Sequence, residues 1–372
     1  MMINKTRLIN DFMRMVSIDS PSFGERRMGD YIKERLSRLG LSFREDGAAS
    51  LVDGSCGNIY GFLDGNAPAE PILLCAHMDT VEPSSGKLAV IEENGIIRSG
   101  SPAVLGADDF AGIAAILEAL TAVIENSIPH RPVEVLFTVA EEAYGKGAAV
   151  FDYSNVRSKE AYVLDLAGQV GTAAYKAPSI LAFEIAVYGK ASHAGFAPGE
   201  GIHAIAAAAK AIDSLKMGQN DGETTLNIGR IEGGTATNIV PDKCVIRGEI
   251  RGFTHSGAMA LAQTVRERFE LFAAQAGAAV EFRLSICCTA YSTPVDHPVV
   301  RRFESACRAL ELPFELVSTF GGSDNNVLAE RGICGIVPAS AMNNVHSTAE
   351  YTDCDELFKL ARLAARLITD LT

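Results

Sequence analysis

Ile72-Leu73-Leu74-Cys75-Ala76-His77-Met78-Asp79 is an apolar run that stops at an imidazole and, two residues later, a carboxylate. A short apolar run bounded in this way fits a strand buried on both faces. Other stretches repeat the pattern. Val133-Glu134-Val135-Leu136-Phe137-Thr138-Val139-Ala140 is followed by Glu141-Glu142, and Ala161-Tyr162-Val163-Leu164 closes on Asp165. Gly332-Ile333-Cys334-Gly335-Ile336-Val337-Pro338 leads toward His346, and Asp108 lies in a Gly-Ala-Asp-Asp turn before a helical stretch. In open α/β sheets, ligands bind outside the carboxyl ends of the strands. His77, Asp108, Glu142, Asp165 and His346 are therefore expected to meet at one sheet edge as a hydrolytic metal centre.

Outward from these runs, residues 4–17 and 23–39 show the three- and four-residue apolar spacing of amphipathic helices. Residues 110–125 predict a further helix, with Ile113, Ile116, Leu117, Leu120 and Ile124 on one face. Strands are predicted at 58–64, 71–76, 133–139 and 161–165. Strands alternating with helices predict an α/β domain with a mostly parallel sheet. The pattern changes near residue 179. A strand at 181–188, a helix at 202–215, strands at 224–232 and 243–251, a helix at 255–276 and a strand at 279–287 follow. That order, βαββαβ, is ferredoxin-like α+β. After Pro294 the alternation returns, with helices near 297–310 and 325–331 and a strand at 333–337. The last helix, at about 353–371, has Thr352 as its expected N-cap. Residues 179–288 are thus expected to form a domain inserted into one built from 1–178 and 289–372. Four ligand candidates precede the insertion and one follows it.

A chain of 372 residues suits two domains. The net charge of −13 supplies no basic excess to neutralise phosphates, so nucleic acid is excluded as a partner. No uncharged apolar run approaches the roughly 18 residues of a membrane span. The first twelve residues are charged too early for a signal peptide, so the cytoplasm is the expected compartment. Eight cysteines, without a C-x-x-C pair, are expected to be reduced and mostly buried.

The motifs carry specific chemistry. In His77-Met78-Asp79, alternate residues can face the same way. A ligating imidazole commonly gives its other N–H to a carboxylate, a role that fits Asp79. Asp108 and Asp109 open a helix, where a negative charge is favoured in any protein; a carboxylate there can also bridge two cations. Glu141-Glu142 allows a division of labour, one carboxylate on metal and its neighbour free as a base. Each motif alone has a structural reading as a cap, a turn or a core histidine. Together they balance: two divalent ions bring +4, Asp108, Glu142 and Asp165 bring −3, and a hydroxide completes neutrality.

With these residues in hand, the chain resembles the co-catalytic zinc metallopeptidases, a family that includes peptidase T, carboxypeptidase G, aminoacylase and succinyl-diaminopimelate desuccinylase. The resemblance is strongest to the peptidase T-like aminopeptidases. Its further carriers are Gly145-Lys146-Gly147-Ala148, Gly233-Gly234-Thr235-Ala236-Thr237-Asn238, Gly321-Gly322-Ser323-Asp324 and Asn344-Val345-His346-Ser347-Thr348. It implies one ion on His77, Asp108 and Asp165 and a second on Asp108, Glu142 and His346. It implies zinc, with cobalt or manganese also compatible, Glu141 as general base and Asp79 behind His77. The inserted domain would be a lid that also forms a homodimer, with His193 assisting the partner subunit's site. Asn238, Arg251 and Ser323 would contact a small peptide substrate. Phe110 departs from the lysine usual after the acidic pair, and Leu166 and Ala167 replace smaller or more polar residues. Deacylation of N-acyl amino acids is the rival activity, and a non-catalytic metal- or peptide-binding relative the rival class.

Overall fold

A computed structural model describes residues 3–371. The chain separates into two compact units, one of residues 1–176, 292–319 and 323–372, the other of residues 177–291 with 320–322.

In the first unit, nine strands follow one another across a sheet in the order Ser42–Glu45, Ile59–Leu63, Val133–Thr138, Ile72–His77, Glu160–Val163, Cys334–Asn343, Tyr351–Asp353, Ile96–Ser99 and Ala89–Ile91. The four central strands run parallel and the flanking ones antiparallel. Ile72–His77 and Val133–Thr138 are buried at every position, as strands central to a parallel sheet are; the buried Glu134 of the second accepts the N–H groups of Arg157 and Ser158 at 2.9 and 2.7 Å. His77 pairs with Thr138, so these two strands end level with each other. The helix Ala107–Glu125 is buried from Ala107 to Val123 and packs against the sheet and against the helices Lys5–Val16 and Cys354–Thr369. Such a helix is apolar on all sides because each side meets protein. Its buried Glu118 is answered by Arg7, whose Nε lies 2.6 Å from Oε2.

Two expectations are corrected. The strand expected at 333–337 does not stop there but runs Cys334–Asn343. Pro338 pairs antiparallel with Ala173, and Met342 and Asn343 pair with Thr352 and Tyr351. Thr352 is consequently a strand residue, its hydroxyl donating to the Ala341 carbonyl at 2.8 Å. The last helix is capped by Asp353, which accepts from the N–H groups of Asp355 and Glu356.

The second unit is a five-stranded antiparallel sheet in the order Gly218–Gln219, Thr224–Gly233, Lys243–Gly252, Ser179–Tyr188 and Ala279–Cys288. Leu181, Phe183, Ile185 and Val187 alternate onto one face and bury against the helices Ala204–Asp213 and His255–Ala276. All eight cysteines carry free thiols.

The edge strand Ser42–Glu45 is tied to the helix Arg26–Arg38 by a two-pronged pair. Arg26 Nη1 and Nη2 donate to the two Glu45 oxygens at 2.7 and 2.8 Å, and Lys33 adds a third bond at 2.8 Å. Arg26 first, against the opposing effect of burial, holds the Glu45 carboxyl down to about 2. A depressed carboxyl stabilises the fold above its ordinary range and loses that contribution as pH falls through the folded value. Glu45→Gln should therefore flatten the fall in unfolding free energy between about pH 4.5 and pH 2. Urea unfolding of both proteins across that window tests this, and identical slopes would refute it.

Candidate metal centre

The parallel strands set the positions of four side chains. His77 is the last residue of its strand, Glu141 and Glu142 follow Val133–Thr138, and Asp165 follows Glu160–Val163. Asp108 opens the long buried helix, joined to Asp109 by a cis peptide. His346 comes from the loop between Cys334–Asn343 and Tyr351–Asp353.

These residues converge. His77 Nε2 lies 3.0 Å from Asp108 Oδ1 and 3.7 Å from Asp165 Oδ1. His346 Nε2 lies 3.3 Å from Asp108 Oδ2 and 3.0 Å from Glu142 Oε2. The Asp108 carboxylate thus offers one oxygen to each imidazole. Ligand atoms of His77, Asp108 and Glu142 lie within 4.8 Å of one another, as do those of His77, Glu141 and Asp165. Glu141 therefore borders the same space as the ligand candidates. Glu142 Oε1 is buried with no protein partner, as expected of an atom kept for a cation. Imidazole nitrogens and carboxylate oxygens suit a divalent metal of the zinc type, so the residues fit such ions.

The tautomer of His77 is determined by its other nitrogen. Nδ1 lies 2.9 Å from the main-chain carbonyl of Asp79, which can only accept, so Nδ1 carries the proton. In the neutral ring Nε2 then has a free lone pair aimed at the acids. The Asp79 carboxylate is 3.5 Å from Nδ1 and has further bonds of its own. Its Oδ1 accepts the Glu141 N–H at 3.0 Å, and its Oδ2 accepts the Glu142 N–H at 3.2 Å and the Ser22 hydroxyl at 2.7 Å. Asp79 thus orients His77 mainly through its backbone and the Glu141-Glu142 turn through its side chain.

Three more buried acids do similar work. Asp109 accepts from the backbone N–H groups of His77 and Gly112, both at 3.2 Å. Glu25 accepts the N–H of Ala140 at 3.0 Å and that of Phe23 at 2.7 Å. Glu350 accepts from Gly106 at 2.7 Å and from Asp108 at 2.9 Å. Sequence reasoning left Asp109 as a capping or structural residue and missed Glu25 and Glu350. An isolated glutamate whose partners are backbone N–H groups far along the chain leaves no motif.

The electrostatics follow from crowding. Burial, and then Asp165, pushes the Glu141 carboxyl well up. Burial likewise raises Asp165 to about 7 and Glu350 to about 7. Burial alone would raise Asp108 and lower His77, but their hydrogen bonds prevail: His346 and His77 hold Asp108 down, and Asp108, with Asp165 and Asp79, holds His77 well up. Hydrogen bonds to Asp108 and Glu142 raise His346 to about 10. The cluster gathers more carboxyl groups than two imidazoles can answer if all are ionised, a condition that bound cations would relieve.

The remaining site candidates are placed as follows. Ser323 caps the helix Asp324–Glu330, and its own N–H goes to Asn326 Oδ1 at 3.1 Å. In the second unit, His193 is exposed and its Nδ1 accepts from the N–H groups of Gly195 and Phe196, both at 3.1 Å. The proton of its neutral ring therefore sits on Nε2. Asn238 is exposed, its carbonyl bonded to the Ala194 N–H at 2.9 Å. Arg251 pairs with Glu249 at 2.8 Å and donates to the Phe320 carbonyl at 2.7 Å. Phe110 lies fully in the core, and the buried Lys87 ammonium stands over its ring at 4.5 Å. Cys75 is also fully buried, with a thiol pushed well up by burial, which removes it as a nucleophile.

Comparison with known proteins agrees with this geometry. Residues 175–278 match the model described as a peptidase dimerisation domain, and residues 58–197 match peptidase family M28. The chain is 35% identical over 369 residues to YqjE, an uncharacterized protein of Bacillus subtilis, covering 99% of each. It superposes on a tripeptidase from Staphylococcus aureus with a TM-score of 0.97 and 32% identity, covering 99% of each chain. It superposes on the aminopeptidase PepT from Bacillus cereus with a TM-score of 0.93 and 34% identity, covering 99% of this chain and 98% of that one. Likeness of that extent, joined to a sheet edge where acids and imidazoles converge, places the chain in a family: it belongs to the peptidase T-like metallopeptidases.

Proposed function

We propose that this peptidase removes a residue from the free amino end of a short peptide, with a tripeptide as its preferred length. The observation that carries the reading is the Asp108 carboxylate, with one oxygen facing each histidine Nε2 at 3.0 and 3.3 Å. His77, Asp108 and Asp165 would hold one divalent ion, and Asp108, Glu142 and His346 a second. Zinc suits this donor set best, with cobalt and manganese compatible. Bound there, such ions polarise the substrate carbonyl and lower the pKa of a water toward about 7.

The chain's own residues supply the proton traffic and the positioning. Glu141 borders the ligand cluster, and a buried carboxyl with a raised pKa suits a group that first takes and later returns a proton. It accepts the proton of the attacking water and delivers it to the leaving amine. Asp79 holds the Glu141 and Glu142 N–H groups on its two oxygens, which fixes where the base stands relative to its neighbour. The resemblance adds His193, with Nε2–H as donor to the developing oxyanion, and Asn238 and Arg251 as substrate contacts. It also supports a homodimer formed through the second unit. The described residues contain no helix long and apolar enough to cross a membrane, and we assign the protein to the cytoplasm.

The reading is tested by hydrolysis of a tripeptide, a dipeptide and an N-acetylated amino acid with metal-reconstituted enzyme. Turnover should be fastest on the tripeptide with a free amine. A preference for the acylated amino acid would favour the deacylase instead. Glu141→Gln should lower kcat by roughly 10²–10⁴ while metal content stays at the wild-type level. Near-normal turnover in that variant removes Glu141 as the base. If His193 acts on the partner subunit's site, mixing His193→Ala with Glu141→Gln subunits should restore activity that neither variant has alone; no recovery after verified subunit exchange would place His193 outside that role.

A further inference from the structure

We infer that Glu350 is a positioning residue which locks the loop of His346 to the loop of Asp108 and so sets the affinity for the ion those two residues share. The inference rests on the dinuclear reading above. Glu350 is 1% exposed. Its Oε2 accepts the Gly106 N–H at 2.7 Å and its Oε1 the Asp108 N–H at 2.9 Å, across more than 240 residues of chain. Both oxygens are thus spent on the short segment that presents the bridging carboxylate.

Glu350 also ends the segment that presents His346. Its N–H donates to the Ser347 carbonyl at 3.1 Å. The Ser347 hydroxyl donates to the Asn344 carbonyl at 2.7 Å and accepts the Ala349 N–H at 3.2 Å. The next residues, Tyr351–Asp353, are held in the sheet between Met342–Asn343 and Ile96–Arg98. Within this closed loop, Asn344 and His346 have φ of +52° and +59°, backbone that side-chain-bearing residues seldom adopt. A loop in that conformation needs its ends tied, and Glu350 is the tie that reaches the other ligand segment. No other side chain links His346's loop to the backbone of Asp108 in this way among the hydrogen bonds of the described residues.

The role is distinct from that of a simple core carboxylate. The distance between His346 Nε2 and Asp108 Oδ2 depends on two segments remote in sequence, and Glu350 joins them directly. His77, by contrast, is placed by its strand and by Asp109. Loss of Glu350 should therefore weaken one ion position more than the other. Glu350→Gln keeps the length but replaces one acceptor by an N–H₂ group that opposes a backbone donor. Glu350→Asp keeps both acceptors on a stem one methylene shorter.

The test is calorimetric titration of the metal-free protein with zinc, with bound ions counted by elemental analysis. Wild type should take up two ions, and His346→Ala should mark which binding step belongs to the His346 position. In Glu350→Gln that step should weaken by about 10–100-fold, the range for partners that orient ligands, with a smaller change at the other step. Glu350→Asp should fall between wild type and Glu350→Gln, and it decides the matter if Glu350→Gln does not fold. Two unchanged affinities in the variants overturn the inference. Equal weakening of both steps, with a lower Tm of the metal-free protein, assigns Glu350 a merely structural role and overturns it as well. A wild type that binds fewer than two ions overturns the dinuclear reading and the inference with it, an outcome distinct from the other two.

Discussion

A crowd of buried carboxylates at one sheet edge is the constraint on which the rest of this structure depends. Asp79, Asp108, Asp109, Glu141, Glu142, Asp165 and Glu350 gather around the buried His77 and the more exposed His346. Two like charges about 4 Å apart repel by about 4 kcal/mol at an effective dielectric constant near 20. Net domain stability is only about 5–15 kcal/mol. So many acids cannot stand charged together unless something answers them. Two kinds of partner are available: cations, for oxygens that face inward, and backbone N–H groups, for oxygens that face outward.

The division between these partners gives the centre its architecture. Asp108, Glu142 and Asp165 direct oxygens toward the histidines. Asp79, Asp109, Glu25 and Glu350 direct theirs toward N–H groups of the segments that carry those ligands. Each acid of the second group holds an N–H from a different part of the chain; the local bonds are those of Asp109 to Gly112 and of Glu25 to Phe23. The outward acids therefore do two things at once. They satisfy backbone donors that would otherwise be buried unpaired, and they fix the spacing between candidate ligands that the fold delivers on separate elements.

This division also explains what could be read from sequence. The strands around His77, Glu142 and Asp165 were legible because apolar residues dominate each, with Glu134 and Glu160 the charged exceptions, and such runs are buried. The βαββαβ order of the second unit was legible from alternating patterns, and Leu181, Phe183, Ile185 and Val187 carry it. The short outer strands Ser42–Glu45, Ala89–Ile91 and Ile96–Ser99, the first two of them at the sheet's edges, were not, since each is partly exposed and held by pairing that a linear pattern does not encode. The continuation of the last long strand through Pro338 was hidden for the same reason: its partners lie at Ala173 and at Thr352. The inward-facing candidates showed themselves as residue types at strand ends. Glu25 and Glu350 did not, because a carboxylate bonded to a distant N–H resembles any other glutamate.

On the dinuclear reading proposed above, the Asp108 carboxylate has a further consequence for how the two ion positions would relate. Asp108 gives one oxygen to each histidine, so its orientation cannot be tuned for one position without changing the other. Whatever the occupancy of one position does to that carboxylate is felt at the second, and the coupling must be reciprocal in free energy. How large it is depends on how freely Asp108 can move. Its backbone N–H is held by Glu350, its neighbour Asp109 is anchored to His77, and its helix is buried on every side. With the main chain immobilised, the coupling has to pass through rotation of one short side chain. On the dinuclear reading, a centre built this way would keep its two positions at a set separation, and such a separation, more than the identity of any single ligand, is what a two-ion hydrolase requires of its protein.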